Sequence, residues 1–179
     1  MVFFTTVPSP LGELTLAADE EGLRGLWLPG QRYFGGRVLD AAVRRDELPI
    51  FALARGWLER YFRGERPFPG ELPLRPEGSR FRQSVWRRLL DIPYGQVTTY
   101  GRLAAALDRG TSSRAVGGAV GHNPISIIIP CHRVVGSNGS LTGYAGGLAA
   151  KRMLLTLEGA DLSPQRCPQT SAIRKDDFR

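Results

Sequence analysis

The feature that most limits how this chain can fold is a break. Residues Pro67 to Gly78 carry four prolines and end in glycine, so neither a regular helix nor a central strand can run through them. The two sides of the break follow different periodicities. Before it, Glu13–Ala17 and Leu23–Leu28 alternate apolar and polar residues, which predicts strands. Asp19-Glu20-Glu21-Gly22 between them predicts a hairpin turn. Ile50, Leu53, Trp57, Leu58, Tyr61 and Phe62 then recur at helical spacing. Gln31–Asp46 fits neither pattern.

After the break the helical period dominates. Ser79–Leu90 predicts a helix with Phe81, Val85, Trp86 and Leu89 on one face. Thr99 is placed to cap a short helix from Tyr100 to Leu107, and Thr111 or Ser112 a second from Ser113 to Gly121. Two short helices joined by a three- or four-residue turn at Asp108-Arg109-Gly110 form a helix-turn-helix pattern. A last helix should run from Leu148 to Glu158 and stop at Gly159. The expected fold is α/β (α+β). A small N-terminal sheet with a helix occupies residues 1–78, a mainly helical domain residues 79–162, and a loose polar tail residues 163–179.

Charge separates the halves further. Residues 1–78 hold 10 basic and 11 acidic side chains, whereas residues 79–179 hold 14 and 6. A basic half beside a neutral one is the footprint of a polyanion-binding surface, with a merely soluble basic surface as the bland alternative. No segment approaches the roughly 18 consecutive apolar residues of a membrane helix. The N-terminus lacks the basic flank and cleavage region of a signal peptide. Cys131 and Cys167 do not make a disulfide framework. A cytoplasmic protein with a free thiol at Cys131 is expected.

That cysteine carries the chemistry. Ser126–Ile129 predicts an apolar strand that delivers Cys131 to a bend at Pro130, with His132 and Arg133 beside it. A free thiol is only a few per cent ionised at neutral pH, so a nucleophilic role needs a base or a positive field. In extended chain Cys131 and His132 point to opposite faces, so the bend or one water would have to link them. Glu158 sits where the helix dipole disfavours a carboxylate, which implies a partner, and a histidinium would suit. The 113–121 helix holds Arg114 near its start and Gly117-Gly118 in its middle. Each such glycine costs about 1 kcal/mol against alanine and is tolerated where another backbone or a groove floor approaches. The alternatives are a buried structural cysteine and solvated charges at Glu158 and Arg114.

The run Pro130-Cys131-His132-Arg133-Val134, with Tyr144-Ala145-Gly146-Gly147-Leu148 downstream, resembles the O6-alkylguanine-DNA alkyltransferases, or methylated-DNA–protein-cysteine methyltransferases. The resemblance is dense from Phe81 to Gly159 and loose before it, where the family has a variable, ribonuclease-H-like domain. It implies direct-reversal repair. An alkyl group passes irreversibly, once per molecule, from O6 of guanine (and O4 of thymine) in DNA to Cys131. It implies His132 as a base acting through water, Glu158 as its orienting carboxylate, Asn123 as a hinge, and Tyr100 as the tyrosine that meets the flipped guanine. Arg114 would fill the base stack. Thr99, Ser113, Ala115, Gly118 and Arg133 would face DNA in the minor groove. Val134, Tyr144, Ala145 and Gly146 would line the alkyl pocket. No cofactor and no metal are implied, and residues 1–78 hold no Cys or His for the zinc site of some relatives. The partners implied are double-stranded DNA and alkylated guanine, for a monomer whose binding cooperativity on DNA is left open, and not a membrane. Where some relatives have serine after the pocket tyrosine, this chain has Ala145, leaving only a backbone N–H there.

Three rivals compete. A non-catalytic lesion-sensing or regulatory DNA-binding protein would share the basic half and the helix-turn-helix, yet such alkyltransferase-like proteins lack the cysteine. A cysteine hydrolase would need a base in contact with the thiol and an oxyanion site. A metal centre on His122, Cys131 and His132 would have irregular spacing and too few ligands.

Overall fold

The computed structural model describes residues 1–162; the tail expected at 163–179, with Cys167, lies outside the described residues. Four strands form the first sheet: β1 (Phe3–Ser9), β2 (Gly12–Ala18), β3 (Leu23–Trp27) and β4 (Val43–Arg44), in the order β3-β2-β1-β4. The first three run antiparallel and β4 joins β1 in parallel. The β2–β3 turn forms at the expected place because Asp19 Oδ1 accepts from the N–H groups of Glu21 (2.9 Å) and Gly22 (3.1 Å).

Helix α1 (Pro49–Phe62) starts with proline in its first turn, where the missing N–H costs nothing. It buries Phe51, Ala54, Trp57, Leu58 and Tyr61 against the sheet. The proline-rich connection is pinned by Trp57, whose Nε1 donates to Phe68 O at 3.0 Å.

The second half contains α2 (Arg80–Leu90), β5 (Thr98–Thr99), α3 (Tyr100–Ala105), α4 (Ser113–Gly121), β6 (Val134–Val135) and α5 (Leu148–Leu157). Ser79, Thr99 and Ser112 cap their helices, each accepting from the N–H three residues on. Helix α3 is shorter than expected, so residues 106–112 join it to α4 and the turn exceeds the three or four residues anticipated. Trp86 Nε1 donates to Ala119 O at 2.9 Å and ties α2 to α4.

The halves share one apolar core, reaching from Leu14 and Leu16 through Trp86 and Ile128 to Leu154. The free edge of β3 is also covered. Leu23 exchanges backbone bonds with Pro73 and Arg75, and Leu26 with Pro124 and Ser126. Covering that edge removes a site for aberrant strand pairing. It also fixes where the cysteine segment begins.

The strand expected at Ser126–Ile129 is not formed. Ile125 alone bridges Leu26, and the chain then coils tightly. Ile127 takes φ +72°, and Ile128 N bonds back to Ser126 O at 2.8 Å, a γ-turn of the rarer, strained hand. Pro130, at φ −81° and ψ 64°, forms a γ-turn of the relaxed hand, closed by Cys131 N to Ile129 O at 2.8 Å. Ile125, Ile127, Ile128 and Ile129 are all buried. A continuous apolar run reads the same for a buried strand and a buried coil, and here local turns satisfy the backbone instead of a ladder.

Candidate active site

Cys131 opens a single 3-10 turn, Cys131–Arg133, at the end of this coil and is 3% exposed. Cys131 and His132 thus do not lie on an extended chain, yet among the described residues His132 makes no hydrogen bond to the sulfur. It turns toward Glu158 instead, with Nε2 2.7 Å from Oε1. Because the carboxylate accepts from Nε2–H, the ring's proton is fixed there and Nδ1 is left with a free lone pair. Nδ1 is buried and, among the described residues, has no hydrogen-bond partner. Burial pushes the His132 pKa down more strongly than Glu158 raises it, so the ring is neutral at neutral pH.

Glu158 is the hub. Besides His132 it accepts from Tyr61 Oη (2.7 Å), Gly95 N (3.1 Å), and Arg133 through Nε and Nη2 (both 2.9 Å). Burial by itself would raise its pKa, but the bonds from His132 and Arg133 hold the carboxyl well below the usual range. The carboxylate at the helix end does have a partner, as expected. Its charge is balanced by Arg133, and not by a histidinium.

Arg133 is the clear correction among the expected DNA contacts. It is 7% exposed, its fork grips Glu158, and Nη1 donates to Ile92 O at 2.6 Å. Three donors committed inside the protein leave it no face for a phosphate. Thr99 is half-buried, and its hydroxyl is engaged in capping α3. Ser113, Arg114, Ala115 and Gly118 do lie exposed on α4. Among the described residues, a Cβ at Gly118 would meet nothing within 4 Å, so their packing does not demand that glycine.

Asn123 is buried and braces the coil. Its Nδ2 donates to Ile129 O at 2.8 Å and its Oδ1 accepts from Ile125 N at 3.0 Å. Burial pushes the Cys131 thiol up, while Asn123, Lys151 and Tyr144 act in the opposite direction. Tyr144 lies beside the sulfur, its buried hydroxyl facing Cys131 and Ser126. Its ring edge fits over Gly146, where a Cβ would come within 2.9 Å of Tyr144 Cε1 and 3.1 Å of Leu28 Cδ2. Tyr100 stands nearby, its hydroxyl donating to Thr142 O at 3.1 Å. A cleft of about 290 Å³ runs between Tyr100, the glycines of α4, Tyr144 and Ala145. Its size is at the lower end for small-molecule sites, about 300–1,000 Å³.

Two site residues escaped the sequence reading. Tyr61 comes from α1, in the other half of the chain. Lys151 is fully buried, and its Nζ donates to Val134 O (2.5 Å), Gly143 O (3.1 Å) and Thr142 O (3.3 Å). Burial lowers its pKa to about 8, and Cys131 works against that shift. A signal for Lys151 was present: with Leu154, Leu155 and Glu158 it occupies one helical face, so two charges stood on an apolar stripe.

Residues 2–76 match the ribonuclease-like domain of 6-O-methylguanine DNA methyltransferase, and residues 80–160 match the DNA binding domain of the same family. The chain belongs to the 6-O-methylguanine DNA methyltransferase family. Among its relatives, the methylated-DNA–protein-cysteine methyltransferase of Haemophilus influenzae is 45% identical over 157 residues, covering 88% of this chain and 86% of the relative. That of Methanosarcina acetivorans is 45% identical over 161 residues, covering 89% and 99%. The crystal structure of the Mycobacterium tuberculosis O6-methylguanine methyltransferase superposes with a TM-score of 0.77 at 42% identity, covering 94% of this chain and 96% of that one. The Mycobacterium tuberculosis protein in complex with DNA gives 0.74 at 39% identity, covering 93% and 95%. The mixed α/β architecture expected from sequence is thus the methyltransferase fold.

Proposed function

We propose that this methyltransferase repairs alkylated DNA by moving the alkyl group from O6 of guanine to Cys131 Sγ. The observation that carries the reading is the buried, unpartnered Nδ1 of His132 on a ring locked by Glu158. The Nδ1 lone pair is the proton acceptor, reached from the thiol through a bridging water. The proton leaves Sγ through that water to Nδ1, and the resulting imidazolium is stabilised by Glu158. The thiolate attacks the alkyl carbon, the carbon–O6 bond breaks, and its electron pair goes to guanine oxygen. A proton from Tyr100, given up from its bond to Thr142 O, or from a nearby donor neutralises the leaving base. The product thioether has no hydrolysable bond, so each molecule acts once.

Lys151 supports the same reading. A cation near the sulfur stabilises the thiolate, and its grip on Val134 O holds one wall of the pocket. The target carbon lies inside the duplex, so the nucleotide must be turned out at a cost of about a few kcal/mol. Arg114, which is exposed on α4, fills the gap, and α4 enters the minor groove with Ala115 and Gly118, a reading supported by their exposure and the open space at Gly118. The basic second half supplies the phosphate attraction.

A duplex oligonucleotide carrying radiolabelled O6-methylguanine tests the proposal. The label should move to the protein with one-to-one stoichiometry and be absent from Cys131→Ala. Tight binding without transfer in the unaltered protein would instead identify a lesion sensor.

A further inference from the structure

The loop after β3 carries Arg32 and Tyr33 from the N-terminal half to the mouth of the cleft that passes Tyr100 and Tyr144. The transfer chemistry uses neither residue. Tyr33 nevertheless holds φ +60°, a left-handed conformation that bulky side chains avoid. Such strain persists only where the surroundings over-determine it, and it gathers at functional sites.

The surroundings here do so. The Tyr33 ring stacks on His122, with centroids 3.9 Å apart and planes 18° from parallel. The Arg32 guanidinium lies over the Tyr33 ring, 5.0 Å from its centroid. Arg32 N donates to Ala145 O at 2.8 Å. His122 is itself fixed at the end of α4, its Nδ1 2.7 Å from Gly118 O. The pair Arg32–Tyr33 therefore bridges the cleft, fastened to α4 on one side and to the Tyr144–Gly147 segment on the other. Tyr33 is 47% exposed, so its position is not a by-product of core packing.

We propose that Tyr33, stacked on His122, is the outer wall of the alkyl pocket and limits the size of the O6 substituent that the protein accepts. The inference rests on the alkyl-transfer reading. On the transfer reading, a methyl group spans only the gap from guanine O6 to the sulfur, beside Tyr100 and Tyr144. A longer or aromatic substituent must extend back along the cleft, and there it meets a ring clamped from two sides. A wall of this kind discriminates by shape, for which one mis-sized group commonly changes the rate about 10–200-fold.

The test is a pair of single-turnover rate constants, for duplex oligonucleotides bearing O6-methylguanine and O6-benzylguanine. Tyr33→Gly removes the ring and suits the φ of this position. In it the benzyl-to-methyl ratio should rise about tenfold. Tyr33→Phe, which keeps the stack, should hold the ratio of the unaltered protein. His122→Ala opens the same wall without touching the loop and should raise the ratio as well. A ratio that stays the same or falls in both Tyr33→Gly and His122→Ala overturns the wall. Equal losses on both duplexes, with reaction toward free O6-benzylguanine retained, would make Tyr33 a DNA contact and also overturn it. An unaltered protein inert toward both duplexes would defeat the transfer reading itself.

Discussion

Tyr61 and Glu158 stand 97 positions apart in the chain, yet the Tyr61 hydroxyl donates to Glu158 Oε1 at 2.7 Å in a fully buried contact. The N-terminal half thus reaches into the site that orients His132. Tyr61→Phe removes only that donor and keeps the stacked ring. A hydrogen bond to a buried charge is worth about 1.5–3 kcal/mol, and denaturant unfolding should show a loss of that size. Alkyl transfer should slow several-fold because Glu158 holds the histidine less firmly. Unchanged stability and rate would mean that the two halves are coupled by packing alone.

Arg133 gives a second test, because the family resemblance set it among the residues facing DNA. Removing one partner of a buried pair costs about 3–5 kcal/mol. Arg133→Ala should lose stability on that scale. Arg133→Lys keeps the charge but not the bidentate fork, and it should be intermediate. Neither variant should change the salt dependence of DNA binding, whereas loss of a real phosphate contact lowers that slope by about one.

Arg114 should behave in the opposite way. Arg114→Ala leaves the core untouched, since the side chain is exposed on α4. It should slow repair of O6-methylguanine in a duplex by at least tenfold while reaction with free O6-benzylguanine changes less than about twofold, the difference being the cost of holding a flipped base. Equal losses on both substrates would remove the stack-filling role.

Acid stability follows from Glu158. Its carboxyl is held below the ordinary value in the folded protein, so the unfolded chain binds the proton first as pH falls. Its contribution is whole above the unfolded pKa of about 4.3 and is lost as pH drops through and below that value. Equilibrium unfolding between about pH 6 and pH 3 should therefore fall more steeply for the unaltered protein than for Glu158→Gln. Parallel curves would show that the carboxylate is not stabilised by its five donors.

The parts of this molecule that read cleanly from sequence are those with a period or a cap. Strands form where β2 and β3 were expected, though both faces of each are largely buried, and the caps at Thr99 and Ser112 reappear. Helix α1 also forms and buries Trp57, Leu58 and Tyr61 of its expected stripe, but Leu53 is exposed, and Phe51 and Ala54 are buried instead. Cys131 and Glu158 were legible because each stood in a costly place, and His132 because it adjoins the cysteine in a run that resembles the alkyltransferases. The cysteine coil was not, because an all-apolar run specifies burial and leaves backbone direction open. Tyr61 was hidden among core aromatics, since its hydroxyl's partner comes from the far end of the chain. Arg133 was misplaced because charge alone suggests a surface, and only the fold shows a carboxylate waiting inside.

The most direct measurement is peptide mass analysis after the protein has restored an equimolar O6-methylguanine duplex. One methyl group on Cys131, with every other nucleophilic side chain unmodified and no second turnover, is the predicted result. A repaired duplex beside an unmodified Cys131 would contradict the account.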